Sequence, residues 1–157
     1  IIISYGDIVY SRKVLDTLLT SKADIAVVID KNWESYWRAR SSEPLSDAET
    51  LKLSKNGKIL EIGKRPRSFE EIQGQYIGLM KFTSKGIMNL KSIFHNAKNK
   101  GSLLNKLVEE AYMTDLLQET IEAGIEVVSV PINGEWIEID TVKDLVSDVT
   151  LNRLKSI

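Results

Sequence analysis

Two aspartates, Asp7 and Asp140, each follow an apolar, strand-like run and precede helix-forming sequence. Carboxylates at the ends of strands are held on a rigid edge, so two such acids can converge on one metal ion. Oxygen ligands of this kind suit Mg²⁺, which usually takes one or two protein carboxylates and leaves positions for substrate phosphates. The spacing alone does not identify an enzyme, but it indicates a reaction class to test, namely magnesium-dependent chemistry on a phosphorylated compound.

A third acid, Glu138, lies two residues before Asp140, so on a strand both side chains share one face. Asp140 also precedes a predicted helix, whose dipole favours an ionised acid at its N-terminus. The alternative interpretation is a solvated strand edge followed by a helix-start acid, which short motifs of this kind do not exclude.

A basic cluster of Lys64, Arg65 and Arg67 follows a predicted hairpin. Lysine supplies a point charge and arginine a bidentate fork, so such a loop is suited to binding phosphate. Read in isolation, the cluster is more typical of an ordinary exposed loop.

Large aromatic residues form a further group, which contains Trp33, Tyr36, Trp37 and Trp136. Core packing is the commoner role for such side chains. The functional alternative is an aromatic wall for a cationic or planar ligand, since ammonium groups bind to aromatic faces. Asp115 opens a predicted helix, where an acid interacts favourably with the dipole.

The composition indicates one globular domain. The chain has 157 residues, 43% apolar and 27% charged, and a net charge of −1, so no basic footprint for nucleic acid is present. Cysteine is absent, which excludes disulfides and thiolate chemistry. No apolar run is long enough to cross a bilayer, so we expect no membrane partner and a cytoplasmic location. The opening run Ile1–Ile3 reads as a buried strand, and we infer that sequence N-terminal to it is missing.

The elements that must position these residues alternate between strands and helices, which predicts an α/β sandwich. Asn56-Gly57 predicts a type I′ hairpin, and Thr141 with Asp144 forms a capping box. The expected strands are 1–4, 25–29, 50–53, 58–62, 76–82, 126–130 and 135–139. The expected helices are 11–20, 84–97, 103–111, 114–123 and one starting at 141, with an irregular segment at 31–46.

Four stretches together resemble nucleotidyltransferases that act on sugar 1-phosphates and phosphocholine. Residues 5–7 (Tyr-Gly-Asp) resemble the Gly-Asp metal motif of that family, and 57–66 resemble its Glu-Lys-Pro stretch. Residues 75–79 resemble the Gly-Leu strand that follows, and 136–141 resemble the second metal aspartate. The Glu-Ile-Asp version of the last motif is closer to cytidylyltransferases for phosphocholine and 2-aminoethylphosphonate.

The resemblance implies a three-layer sandwich with a mixed, mostly parallel, Rossmann-like sheet. It also implies that 1–157 is the C-terminal portion of one domain, because the family's Gly-rich triphosphate loop has no match here. Asp7, Glu138 and Asp140 would be the Mg²⁺ ligands, and Lys64 would contact the acceptor phosphate. One departure is Gly63, which stands where the family has a glutamate before that lysine.

The implied reaction is nucleotidyl transfer from a nucleoside triphosphate, preferably CTP, to an acceptor such as phosphocholine or 2-aminoethylphosphonate. Lys64, Asp7 and Asp140 would be the catalytic residues. The alternatives are a sugar-1-phosphate nucleotidyltransferase and a non-catalytic interaction module, and an oligomer is left open. The residues expected to contact substrate are Trp33, Trp37, Arg67, Asp115 and Trp136.

Overall fold

The computed structural model describes residues 1–155 and 157 as short strands and helices around one central sheet. The strands are β1 (Ile2–Ser4), β2 (Ile8–Tyr10), β3 (Ile25–Asp30), β4 (Leu51–Leu53), β5 (Ile59–Ile62), β6 (Gln75–Phe82), β7 (Ser102–Leu103), β8 (Lys106–Leu107), β9 (Val128–Ile132) and β10 (Trp136–Glu138). The helices are α1 (Arg12–Thr20), α2 (Trp33–Arg40), α3 (Pro44–Asp47), α4 (Ser84–Lys100), α5 (Met113–Glu122), α6 (Val142–Val146) and α7 (Asp148–Leu154). Two 3₁₀ turns lie at Phe69–Glu71 and Val108–Glu110.

The central sheet has the strand order β1-β6-β3-β9. Strand β3 pairs antiparallel with β6, where Val27 lies opposite Met80, and parallel with β9, where Val28 lies opposite Val130. Strand β1 pairs antiparallel with the other edge of β6. The α/β class with a mixed sheet is confirmed. The expected parallel majority is not found in these four strands, because two of the three ladders are antiparallel.

The core has two halves, one on each face of the sheet. Every residue of β3 is buried, as expected for a continuous apolar run with both faces covered. Alternate side chains enter different clusters, Val28 with α1 and α2, and Val27 with α4 and α5. Helices therefore cover both faces, which gives the three layers expected from the sequence.

Three two-stranded sheets lie around this core: β2–β10, β4–β5 and β7–β8. The predicted hairpin at Asn56-Gly57 is the β4–β5 pair. Only Gly57 of the two residues has a positive φ, +80°, so the turn is not the type I′ turn that we expected. The capping box of Thr141 and Asp144 is confirmed at the start of α6.

Two predicted segments are wrong. Residues 103–111 do not form a helix, because Leu104 and Asn105 adopt positive φ values of 47° and 66° and turn the chain between β7 and β8. The segment 31–46 is not irregular, because α2 and α3 occupy most of it. Its aromatic residues at 33, 36 and 37 are buried and follow helical spacing.

The described residues include no helix that is both long and apolar enough to cross a membrane.

Candidate active site

The acids near the two ends of the chain meet at the β2–β10 pair. Glu138 lies opposite Ile8 in this antiparallel ladder, and Ile139 N–H donates to the Asp7 carbonyl oxygen at 2.9 Å. Negative charge on both Asp7 and Glu138 raises the pKa of the Tyr5 phenol, after the larger effect of burial. The structure therefore brings Asp7 beside the Glu138–Asp140 segment at the level of the backbone.

Arg40, at the end of α2, is the residue that the sequence analysis missed. Its Nη1 donates to Glu138 Oε2 at 2.6 Å, and its Nη2 donates to Asp140 Oδ2 at 2.8 Å. A third carboxylate, that of Asp144, lies 3.5 Å from Nη2. The Arg40 side chain is 9% exposed and that of Glu138 is 23% exposed, so this ion pair lies largely out of water, whereas the Asp140 side chain is 43% exposed.

The protonation of this cluster follows from its burial and pairing. Burial alone would lower the pKa of Arg40, but the hydrogen bonds to Glu138 and Asp140 outweigh it and raise the pKa. Burial raises the pKa of Glu138, and the hydrogen bond from Arg40 offsets only part of that rise. Arg40 is therefore a permanent cation among acids that would otherwise repel one another.

The predicted metal ligands do not form a preorganised metal site. Within residues 1–155 and 157, no three acids, histidines or cysteines are grouped so that they could hold a metal ion. The donor chemistry nevertheless fits Mg²⁺, since the ligands are carboxylates and substrate phosphates commonly complete its coordination. Arg40 binds one oxygen of Glu138 and one of Asp140, and their other carboxylate oxygens carry no hydrogen bond from a described residue. The magnesium site thus stays a prediction.

A cavity of about 190 Å³ opens beside Glu138. Its wall combines carboxylates with aromatic rings, and no lysine, arginine or histidine lines it. The lining residues are Tyr5, Trp37, Asp47, Glu49, Gln75, Tyr76, Ile77, Gly78, Tyr112, Thr114 and Glu138.

The floor of this cavity depends on a glycine in β6. Gly78 has φ +80°, and a Cβ at this position would lie 2.6 Å from Tyr5 Cγ. The Tyr5 ring can therefore lie against the β6 backbone, where it meets the Tyr76 ring edge-on with centroids 5.7 Å apart. Only glycine allows both this backbone conformation and this approach.

Glu49 is a half-buried carboxylate in the cavity wall. It accepts a hydrogen bond from Thr114 Oγ1 at 3.2 Å. Burial raises its pKa, and the charge of Asp115 adds to the rise. Lys106 acts on Glu49 only at a distance, because its ammonium is bound by both oxygens of Asp115.

The predicted phosphate lysine lies next to the cavity rather than in its wall. Lys64 Nζ pairs with Glu61 at 2.9 Å, and its side chain is half exposed. A shallow groove lined by Lys64 and Arg65 also contains Asp47 and Glu49, so it continues into the cavity. Lys64 can bind a phosphate that enters this groove from solvent if its ammonium gives up the ion pair with Glu61.

The other predicted substrate contacts lie in different surroundings. Trp136 is fully buried, and its Nε1 donates to Asp30 at 2.8 Å. Trp33 is buried and stacks on Phe69. Of the predicted tryptophans, only Trp37 lines the cavity.

Asp115 and Arg67 also lie outside the cavity wall. Asp115 is buried and binds the Tyr112 N–H at 2.8 Å as well as Lys106, so it caps α5 as a helix-start acid. Arg67 is exposed, and its backbone N–H donates to Glu71. Their contacts with substrate stay predictions.

Comparison with known proteins agrees with the resemblance found in the sequence. The chain is 41% identical over 145 residues to the CTP:phosphoglutamine cytidylyltransferase of Campylobacter jejuni. The match covers 92% of this chain and 57% of that protein. The resemblance to nucleotidyltransferases, and to cytidylyltransferases among them, is thus confirmed. No family profile matches the chain.

Solved structures share the fold. The inositol-1-phosphate CTP transferase of T. maritima matches with a TM-score of 0.64 at 21% identity, over 98% of this chain and 54% of that one. A nucleoside-diphosphate-sugar pyrophosphorylase of Vibrio cholerae RC9 matches with a TM-score of 0.55 at 12% identity, over 96% of this chain and 55% of that one. The chain thus spans a little over half the length of each of these three proteins.

Proposed function

We propose that this chain takes part in cytidylyl transfer from CTP to a phosphorylated acceptor, with release of pyrophosphate. The similarity to a cytidylyltransferase supports the nucleotide and the reaction class. The observation that carries the proposal is the meeting of Asp7 with the Glu138–Asp140 segment beside a cavity of acids and aromatic rings.

In this reaction an oxygen of the acceptor phosphate attacks the α-phosphorus of CTP. A new oxygen–phosphorus bond forms, and the bond from the α-phosphorus to the oxygen bridging to the β-phosphate breaks. Pyrophosphate carries that electron pair away. No protein nucleophile is required, so the chain's contribution is positioning and charge neutralisation.

We assign Asp7 and Asp140 as the residues that would hold Mg²⁺, with Glu138 as a direct or water-mediated helper. When bound, the ion would offset the negative charge between the triphosphate and the acceptor phosphate. Arg40 holds one oxygen of Glu138 and one of Asp140 in place, which limits the orientations of both carboxylates.

Lys64 neutralises the acceptor phosphate in the groove that leads into the cavity. Its partner Glu61 also pairs with Lys52 at 2.9 Å, so this carboxylate keeps one cation when Lys64 turns to phosphate. The exchange therefore leaves no unpaired carboxylate behind.

The acceptors that we propose carry a phosphate or phosphonate at one end and a nitrogen group at the other. Phosphocholine and 2-aminoethylphosphonate have this form, and the Campylobacter jejuni relative is named for phosphoglutamine. The acidic and aromatic cavity wall favours binding of a positively charged nitrogen group over binding of a neutral sugar. We also propose that 1–157 is the C-terminal portion of the catalytic domain.

The test is a pyrophosphate-release assay on the full-length protein that contains this sequence. CTP, UTP, GTP and ATP are each combined with phosphocholine, 2-aminoethylphosphonate, phosphoglutamine and glucose 1-phosphate, with Mg²⁺ present. We expect release with CTP and a nitrogen-bearing acceptor. Release with glucose 1-phosphate alone, or from no combination, would reject the proposed function.

A further inference from the structure

We propose that the cavity beside Glu138 binds a primary ammonium group of the acceptor, with Glu49 as its charge partner. The inference rests on the proposed function, because it names the part of the acceptor that this cavity recognises. It also separates 2-aminoethylphosphonate and amino-acid phosphates from phosphocholine.

The cavity wall is negatively charged. Among the described residues, its lining contains the carboxylates of Asp47, Glu49 and Glu138 and no basic side chain. Arg40 pairs with Glu138, whereas Glu49 has only the neutral hydrogen bond from Thr114 and no ion pair with a described residue. A half-buried carboxylate without a cation is costly, and a bound ammonium would remove that cost.

Trp37 is 4% exposed and lines the cavity, and its Nε1 is buried without a hydrogen-bond partner among the described residues. Buried donors are nearly always satisfied, so we infer that an oxygen of the acceptor molecule pairs with this N–H when the acceptor enters the cavity. The N–H has no surface open to solvent in the empty cavity, so the indole ring must shift to make that contact.

The other groups in the wall determine the type of cation. Tyr5, Tyr76 and Tyr112 line the same cavity, and aromatic rings attract any ammonium. The carboxylate and phenol oxygens also accept hydrogen bonds, which a primary ammonium can donate and a trimethylammonium cannot. The wall therefore favours –NH₃⁺ over –N(CH₃)₃⁺.

The two ends of a bound acceptor would lie between the groove of Lys64 and the acids. Glu138 belongs to both the cavity wall and the acidic cluster of Arg40. An acceptor with its ammonium at Glu49 would thus extend its phosphate toward the acids that we assign to the metal. Lys64 lies in the adjoining groove, which Asp47 and Glu49 also line, so its side chain must reach past Glu49 to contact that phosphate.

The experiment compares Glu49→Gln with the wild-type full-length protein in steady-state assays of cytidylyl transfer. We expect the KM for 2-aminoethylphosphonate to rise about 10- to 100-fold, because a charged hydrogen-bonded partner is lost. The KM for CTP should stay unchanged, and phosphocholine should respond less. Glu49→Asp, which keeps the charge, should recover part of the affinity.

The matched control is Glu43→Gln, a loss of the same charge at an exposed position outside the cavity wall. It should leave every KM unchanged. Trp37→Phe, which keeps a ring and removes the N–H, should raise the acceptor KM by a smaller factor, about 3- to 10-fold. Thermal unfolding of each variant identifies any loss of fold.

Two outcomes would overturn the inference. One is an equal effect of Glu49→Gln on acceptors with and without an ammonium group, and the other is a preference of the wild type for phosphocholine. If the wild type transfers cytidylyl groups to no acceptor, the proposed function fails instead. Calorimetric binding of 2-aminoethylphosphonate to wild type and Glu49→Gln then decides the cavity's role, and equal affinities would overturn it.

Discussion

Arg40 is the residue with the greatest electrostatic influence on the candidate site. It joins Glu138, Asp140 and Asp144 while its side chain is nearly buried. It also lies over the faces of Tyr36 and Trp37, at 5.3 and 5.7 Å from the ring centroids. The acids can stand close together because this cation lies between them.

We expect Arg40→Gln to destabilise the protein by about 3 kcal/mol, because breaking a buried pair leaves uncompensated charge. The measurement is the free energy of unfolding in urea. Arg38→Gln on the same helix is the control, since Arg38 is half exposed and pairs with Glu34 at 2.8 Å. That change should cost less than about 1 kcal/mol. Equal costs for the two variants would contradict the role of Arg40.

Lys64 can be tested against a neighbour that shares its partner. Lys64→Ala should raise the KM for the acceptor about tenfold or more and leave the KM for CTP nearly unchanged, since a charge-assisted contact to phosphate is lost. Lys52→Ala is the control, because Lys52 pairs with the same Glu61 carboxylate at the same distance. Equal effects of Lys64→Ala on both substrates would contradict its assignment.

At the scale of elements, α2 shows what the sequence could and could not reveal. The spacing of Trp33, Tyr36 and Trp37 is helical, yet we predicted an irregular segment there. Read as a helix, the spacing puts Arg40 three residues after Trp37, on the same face. The signal that locates Arg40 was therefore present in the sequence.

The strands and caps were easier to predict than the segment 103–111. Strand β3, the hairpin position and the Thr141 capping box depend on local patterns, and the structure contains all three. The β7–β8 turn depends on positive φ at Leu104, which a leucine adopts only when its surroundings require it. Local propensity alone could not predict that turn.

Strand β6 provides a test of how an element forms the cavity. We expect Gly78→Ala to destabilise the protein by about 2–4 kcal/mol, because the new Cβ meets the Tyr5 ring at a positive φ. The control is Gly124→Ala, which has the same φ of +80° and open space around it, and should cost about 1 kcal/mol. Chemical denaturation measures both. Similar losses in the free energy of unfolding for the two variants would show that the position of the Tyr5 ring does not depend on a glycine at 78.

At the scale of the whole molecule, the candidate site joins residues that are far apart in sequence. Asp7 meets Ile139 across the β2–β10 pair, and Arg40 reaches the same acids from α2. From the sequence we predicted that the carboxylates of Asp7 and Asp140 converge on a metal ion. The structure places the Asp7 backbone beside Ile139, the residue before Asp140, and the convergence of the two carboxylates stays a prediction. The cavity at Glu49 could not be predicted, because its wall is assembled from six separate segments of the chain whose contacts are set by packing.

The most direct test of this account is the turnover of the full-length protein with CTP, Mg²⁺ and its acceptor after Asp7→Asn or Asp140→Asn. Each change removes a charge and keeps the shape, so we expect at least about a hundredfold loss of turnover with the fold intact. Asp16→Asn, at an exposed residue that pairs with Arg12 on the surface of α1, should retain wild-type turnover. Near-wild-type rates for either site variant would contradict the claim that these two acids act together on a metal ion.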